Sequence, residues 1–222
     1  MELKDVLQIN MCSIVFIGNF NPAVFQPFWL ANKKLIRESE AEQTKLELIH
    51  NDLVKFDLGW VNLQVTQERF ELRTTQEPYF LPVRDLAIGV FTLLNETPIT
   101  SLGINHVFHC AFKDEKTLYE FGNLLSPLNN WNTQMNEPRL LNLAIIEQKR
   151  MDGLDGHYRI QILPSKTKLT TKFAVEININ DHFNIMHNQT GRNGEMISVL
   201  KDNWDSSFQK AQSISNHILS LI

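Results

Sequence analysis

Lys172-Phe173-Ala174-Val175-Glu176-Ile177-Asn178-Ile179-Asn180 is the stretch that decides the fold. Phe173, Val175, Ile177 and Ile179 share one parity, and Lys172, Ala174, Glu176, Asn178 and Asn180 share the other. Successive side chains of a strand point to opposite faces, so this segment offers one apolar face and one wetter face. The same period recurs upstream. Over 100–112, Leu102, Ile104, His106, Phe108, Cys110 and Phe112 alternate with Gly103, Asn105, Val107, His109 and Ala111. Val61, Leu63 and Val65 alternate with Asn62, Gln64 and Thr66, and Phe70 and Leu72 alternate with Glu71 and Arg73. Leu46, Leu48 and His50 form a shorter run of the same kind. Further strands are predicted over 6–18, 139–148 and 158–163. The link 149–157 carries Gly153, Gly156, Asp152 and Asp155, which suits a hairpin and an antiparallel arrangement.

Between these runs the period changes to that of a helix. Asn21-Pro22 suits a helix start, with the helix reaching Ile36. Leu86, Val90, Leu93 and Leu94 mark a second helix, and Asp114 caps a third that ends at Leu125. A long helix is predicted over 195–221, its buried stripe marked by Met196, Leu200, Trp204, Phe208, Ala211 and Ile218. The expected fold is therefore α+β: a mainly antiparallel sheet of about seven strands, helices on one face and a long C-terminal helix. Residues 1–222 read as one domain. A break near 126–138, rich in Asn with Pro127 and Pro138, would divide it into two sub-domains of similar design.

Of the 222 residues, 43% are hydrophobic, with 14 Phe and 4 Trp, enough to build a sizeable core. The net charge of −4 argues against broad electrostatic binding to nucleic acid. The two cysteines, Cys12 and Cys110, lack metal-ligand spacing and sit among apolar residues, as in a reduced cytoplasmic chain. No secretory leader opens the sequence, and no apolar run approaches the roughly 18 residues of a membrane span, so no membrane association is expected.

Motifs for phosphate loops, dinucleotide turns, nucleophile elbows and zinc helices are missing. His106-x-x-His109-Cys110 has metal-binding residue types, but an odd spacing along a strand sends His106 and His109 to opposite faces. His106 and Cys110 share a face yet lie roughly 13 Å apart. No metal and no cofactor are expected. Asp181, His182 and His187 fall at the end of the clearest strand, where a base and its orienter could stand, with His50 or His157 brought close by folding. A turn capped by Asp181 and Asn184 accounts for the same residues without chemistry. The loop 188–194 and the Gly18–Pro22 join resemble anion-binding turns only superficially, since surface-loop and helix-capping roles explain them.

The element order, together with Pro98-Ile99-Thr100-Ser101-Leu102-Gly103-Ile104-Asn105 and Glu176-Ile177-Asn178-Ile179-Asn180-Asp181-His182-Phe183, resembles a sporadically distributed family of uncharacterised bacterial proteins. The family segment matching 102–105 is richer in Arg and Tyr. The resemblance implies a bacterial cytoplasmic protein and brings no catalytic residues.

Two functional readings stand. The leading one is a non-catalytic protein-interaction or assembly domain, because Trp29, Phe80 and Trp131 lack an evident core slot and would suit a partner. The other is a small-molecule enzyme or ligand binder using the 181–194 loop. Self-association as a two-fold homodimer is expected from free sheet edges near 46–50 and 70–73 and from the long final helix.

Overall fold

A computed structural model describes residues 1–50, 52–184 and 194–222, the side chain of Ile49 apart. Nine strands form one antiparallel sheet: β1 (Leu7–Gly18), β2 (Lys45–His50), β3 (Leu53–Asp57), β4 (Asn62–Thr66), β5 (Arg69–Thr74), β6 (Ile99–Ala111), β7 (Leu143–Glu147), β8 (Gly156–Pro164) and β9 (Ala174–Asn184). Their spatial order is β2-β3-β4-β5-β1-β6-β9-β8-β7. The order reflects a repeated plan. In each half an opening strand, β1 or β6, is followed by helix and then by a meander that folds back so that its last strand, β5 or β9, pairs with the opener. A helix closes each half: α4 (Phe80–Leu93) the first and α6 (Gly194–Leu219) the second. The halves join where β1 and β6 pair, and 126–138 lies inside the second half, linking α5 (Glu115–Leu125) to β7.

The nine strands among the described residues exceed the expected total of about seven: each of the eight segments read as strands is one, and a ninth was missed. The run Val54-Lys55-Phe56 is a strand of its own, β3, with Val54 and Phe56 fully buried. It follows β2 after only two residues, too close to be told from it by alternation alone. As a result 70–73 is not a free edge: β5 lies between β4 and β1. The true edges are β2 and β7. On β2 the alternation misleads, since Leu46 and Leu48 are both exposed.

The first predicted helix is also corrected. It is broken into a 3-10 turn (Pro22–Val24), α2 (Pro27–Asn32) and α3 (Glu38–Glu42). Pro27 cannot continue a helix begun at Pro22, because proline lacks the N–H and crowds the preceding turn. Gln26 is accordingly extended, at φ −110° and ψ 150°, and Lys34 at φ 60° ends α2.

One sheet face carries the helices. Cys12, Ile14 and Phe16 of β1 pack with Val83, Leu86 and Val90 of α4 and with Leu200 and Trp204 of α6. The C-terminal half of α6 (Ala211, Ile218, Leu219) joins a second cluster with Phe108, Ile177, Phe121 of α5 and Leu3 of α1 (Leu3–Val6). A single helix thus spans both halves. Phe80, expected to lack a core slot, is buried beside Phe208 of α6, their ring centroids 6.0 Å apart. No described helix is long and apolar enough to cross a membrane.

Candidate functional site

Among the described residues no element covers the centre of the other sheet face. There a groove of about 460 Å³ is lined solely by strand residues from β5, β1, β6, β9 and β8. Its floor follows from register. Arg73, Ser13, Asn105, Asn180 and Arg159 stand opposite one another on five adjacent strands. The Asn180 amide donates to Asn105 Oδ1 at 2.6 Å, and the Asn105 amide donates to Ser13 Oγ at 3.2 Å. This relay leaves the Ser13 hydroxyl hydrogen and the Asn180 carbonyl oxygen for another molecule. In the adjacent row Gly103 sits between Val15 and His182. A Cβ at Gly103 would come within 3.0 Å of Asn180 Nδ2, so the missing side chain is what leaves the row open at its middle.

The groove carries a positive balance. Arg69 is paired with Glu71 at 3.0 Å. Arg73 and Arg159 make no side-chain hydrogen bond or ion pair with another described residue. His157 and His182 stack at 4.5 Å between centroids, 25° from parallel. Burial, and then the neighbouring His157, hold the His182 imidazole below its usual range.

The residues singled out by sequence separate in space. Asp181 and His182 are consecutive on β9, which continues to Asn184 rather than ending in a loop at 181. They therefore face opposite sides: His182 lines the groove, whereas Asp181 is buried on the helix side. His157 does come to His182; His50 is on the distant edge strand β2. His187 lies outside the described residues. Trp29, half-buried on α2, packs on Phe25 at 6.3 Å, and Trp131 is exposed in the turn after α5. Together with buried Phe80 they occupy three separate elements and form no common surface.

On the helix side Asp181 meets a second constellation. Ser207 Oγ of α6 lies 3.4 Å from His106 Nε2, and the Ser207 hydroxyl helps hold the Asp181 carboxyl down against burial. His106 Nδ1 is buried with no hydrogen-bond partner among the described residues. No described carboxylate therefore orients His106, as the base beside a serine nucleophile requires. All three side chains are buried as well. The set is a polar fastening between helix and sheet.

His106 and His109 face opposite sides of β6, and His109 Nδ1 meets Ser165 Oγ at 2.8 Å. Among the described residues no three His, Cys, Asp or Glu side chains gather as metal ligands would. Cys12 and Cys110 are free and buried; burial pushes both thiols up, Cys110 to about 12.

Sequence reasoning missed the groove residues Ser13, Arg73, Asn105, Asn180 and Arg159. Fold and groove define the chain as an α+β protein with one helix-covered and one open, polar sheet face. No protein-family model matches it, and comparison with curated proteins finds no match.

Proposed function

We propose that this chain is a non-catalytic binding module of a bacterial cytoplasmic protein, and that its partner lies in the open groove. The observation that supports this is the row Arg73–Ser13–Asn105–Asn180–Arg159, a line of hydrogen-bonding groups in register across five strands, exposed at the two arginines, half-buried at the asparagines and buried at Ser13. Asn is disfavoured in strand interiors, so Asn105, Asn178 and Asn180 facing one side of two adjacent central strands call for a reason beyond folding. Among the described residues the enzyme reading finds no convergent base and orienter, because Asp181 and His182 diverge. The groove provides its own reporters: the methyl groups of Met11, Val15, Ile17 and Val107 line it. With isotope-labelled methyls, titration of peptides, oligonucleotides and small metabolites is expected to shift the methyl resonances of these four residues. Ligand-induced shifts confined to Leu118, Leu128 and Leu140, which line a separate apolar pocket beside α5, would overturn the reading.

The module also self-associates, in this proposal, through edge strand β7. Ile145 and Ile146 are about half exposed on its two faces, Leu141 beside it is 78% exposed, and the strand contains no proline or lysine to block pairing. Antiparallel pairing of two copies centred on Ile145 would set Glu147 against Leu143, with no like charges opposed. Light scattering is expected to give a two-chain mass that reverts to one chain in Ile145→Lys. A single-chain mass for the unaltered protein, unchanged on concentrating, would exclude it.

A further inference from the structure

We infer that the groove receives an extended, acidic peptide segment of a partner protein; this rests on the binding-module reading above. Three features carry it. The first is charge. With Arg69 offset by Glu71, the guanidiniums of Arg73 and Arg159, at the two ends of the row, have no acidic partner among the described residues. Low-dielectric walls focus such charge toward an incoming anion. The second is length. Four strand steps of about 4.8 Å place the two arginine backbones about 19 Å apart, which about six residues of extended chain would span. The third is the floor. The Asn180 carbonyl oxygen and the Ser13 hydroxyl present an acceptor and a donor, and a peptide backbone offers the complementary N–H and C=O groups in alternation.

A nucleic acid strand is the competing polyanion. It gains much of its affinity from bases stacked on aromatic side chains, and the lining contains no Phe, Tyr or Trp, only the His157–His182 pair already stacked on itself. The row also supplies only two arginines unpaired among the described residues, fewer than a phosphate backbone uses.

The test uses the full chain and three fluorescein-labelled probes: an octapeptide of alternating glutamate and glycine, the same peptide with lysine for glutamate, and decathymidylate. Anisotropy is expected to show saturable binding of the glutamate peptide alone, weakening as salt is raised. Both arginines are exposed, so Arg73→Ala/Arg159→Ala keeps the fold; it is expected to weaken the peptide at least tenfold. No saturable binding of the glutamate peptide, binding indifferent to the double substitution, or tighter binding of decathymidylate would each overturn the inference. If the groove methyls respond to another ligand but not to the glutamate peptide, the peptide assignment falls while the binding module stands. If they respond to nothing, both fall.

Discussion

Replacing Arg150 with alanine is expected to destabilise the fold by about 3–5 kcal/mol, the cost of stranding a buried charge. Arg150 belongs to the link between β7 and β8, yet its side chain is only 4% exposed. Its Nη1 donates to Asp181 Oδ1 at 2.5 Å and to the His182 carbonyl at 3.1 Å. Its Nε and Nη2 hold the Asp152 carboxylate at 2.9 and 2.5 Å, and its guanidinium lies 4.2 Å over the Phe183 ring. One side chain thus ties a surface link to the central region of the sheet. Asp181 is equally buried, and burial raises its carboxyl above the usual range, opposed by Arg150 and then by Ser207. Without Arg150 that rise has less to oppose it. A carboxyl whose native pKa exceeds its unfolded value costs stability at pH above both, and the cost fades as pH falls through the native value. The Arg150→Ala deficit is therefore greatest near pH 7 and shrinks toward the ordinary carboxylate range. Urea unfolding across that range measures it. Arg150→Ala/Asp181→Asn, which removes the stranded charge, is expected to recover part of the loss. A deficit below about 1 kcal/mol, the value of an exposed pair, would contradict the buried-charge account.

The architecture was legible where alternation ran long and cleanly. Phe173–Asn180 and Leu102–Phe112 gave β9 and β6, and the stripe from Met196 to Ile218 gave α6. It failed where short elements abut, as at β2 and β3, and where Pro27 breaks a helix inside an apolar run. The groove was legible in part. The wetter parities held Asn105, Asn178, Asn180 and Arg73, but seeing that they share one surface requires knowing that β5, β1, β6 and β9 are neighbours. That adjacency joins segments up to about a hundred residues apart, and local periodicity carries no information on it. A signal was nonetheless present: asparagine is poor in strands, and it recurs on the wetter parity of two segments read as strands. The pairing of Asp181 with His182 as a catalytic couple ignored the period-two rule that had identified their strand, since that strand runs to Asn184 and separates them. Arg150 and Ser207 lay beyond any local reading, because their role comes from a loop and a helix meeting over β9.

Stability is expected to fall by about 3 kcal/mol between pH 6.5 and pH 4 through His106 alone. This imidazole is fully buried between β6 and α6, against Phe208 at 5.3 Å, and burial lowers it to about 4. The unfolded chain binds the proton near pH 6.5 and the folded chain does not until about pH 4. Within that window the unfolded state holds more protons, so stability is full above it and is lost as pH falls through it; below it the loss is complete and grows no further. His109 and His182, also lowered by burial, act in the same direction, whereas raised Asp181 opposes them. The His106 contribution is therefore read as a difference between the unaltered chain and His106→Leu. Leucine is of similar size, cannot titrate and removes the unpartnered Nδ1. At pH 7 the variant is expected to be about as stable as the parent, the lost Ser207 contact offset by the removal of a buried polar atom. On acidification its unfolding midpoint in urea should decline less, and by pH 4 it should be the more stable chain. Parallel pH profiles for the two proteins would show that His106 gains its proton in the folded state as readily as in the unfolded one, contrary to its sealed position under α6.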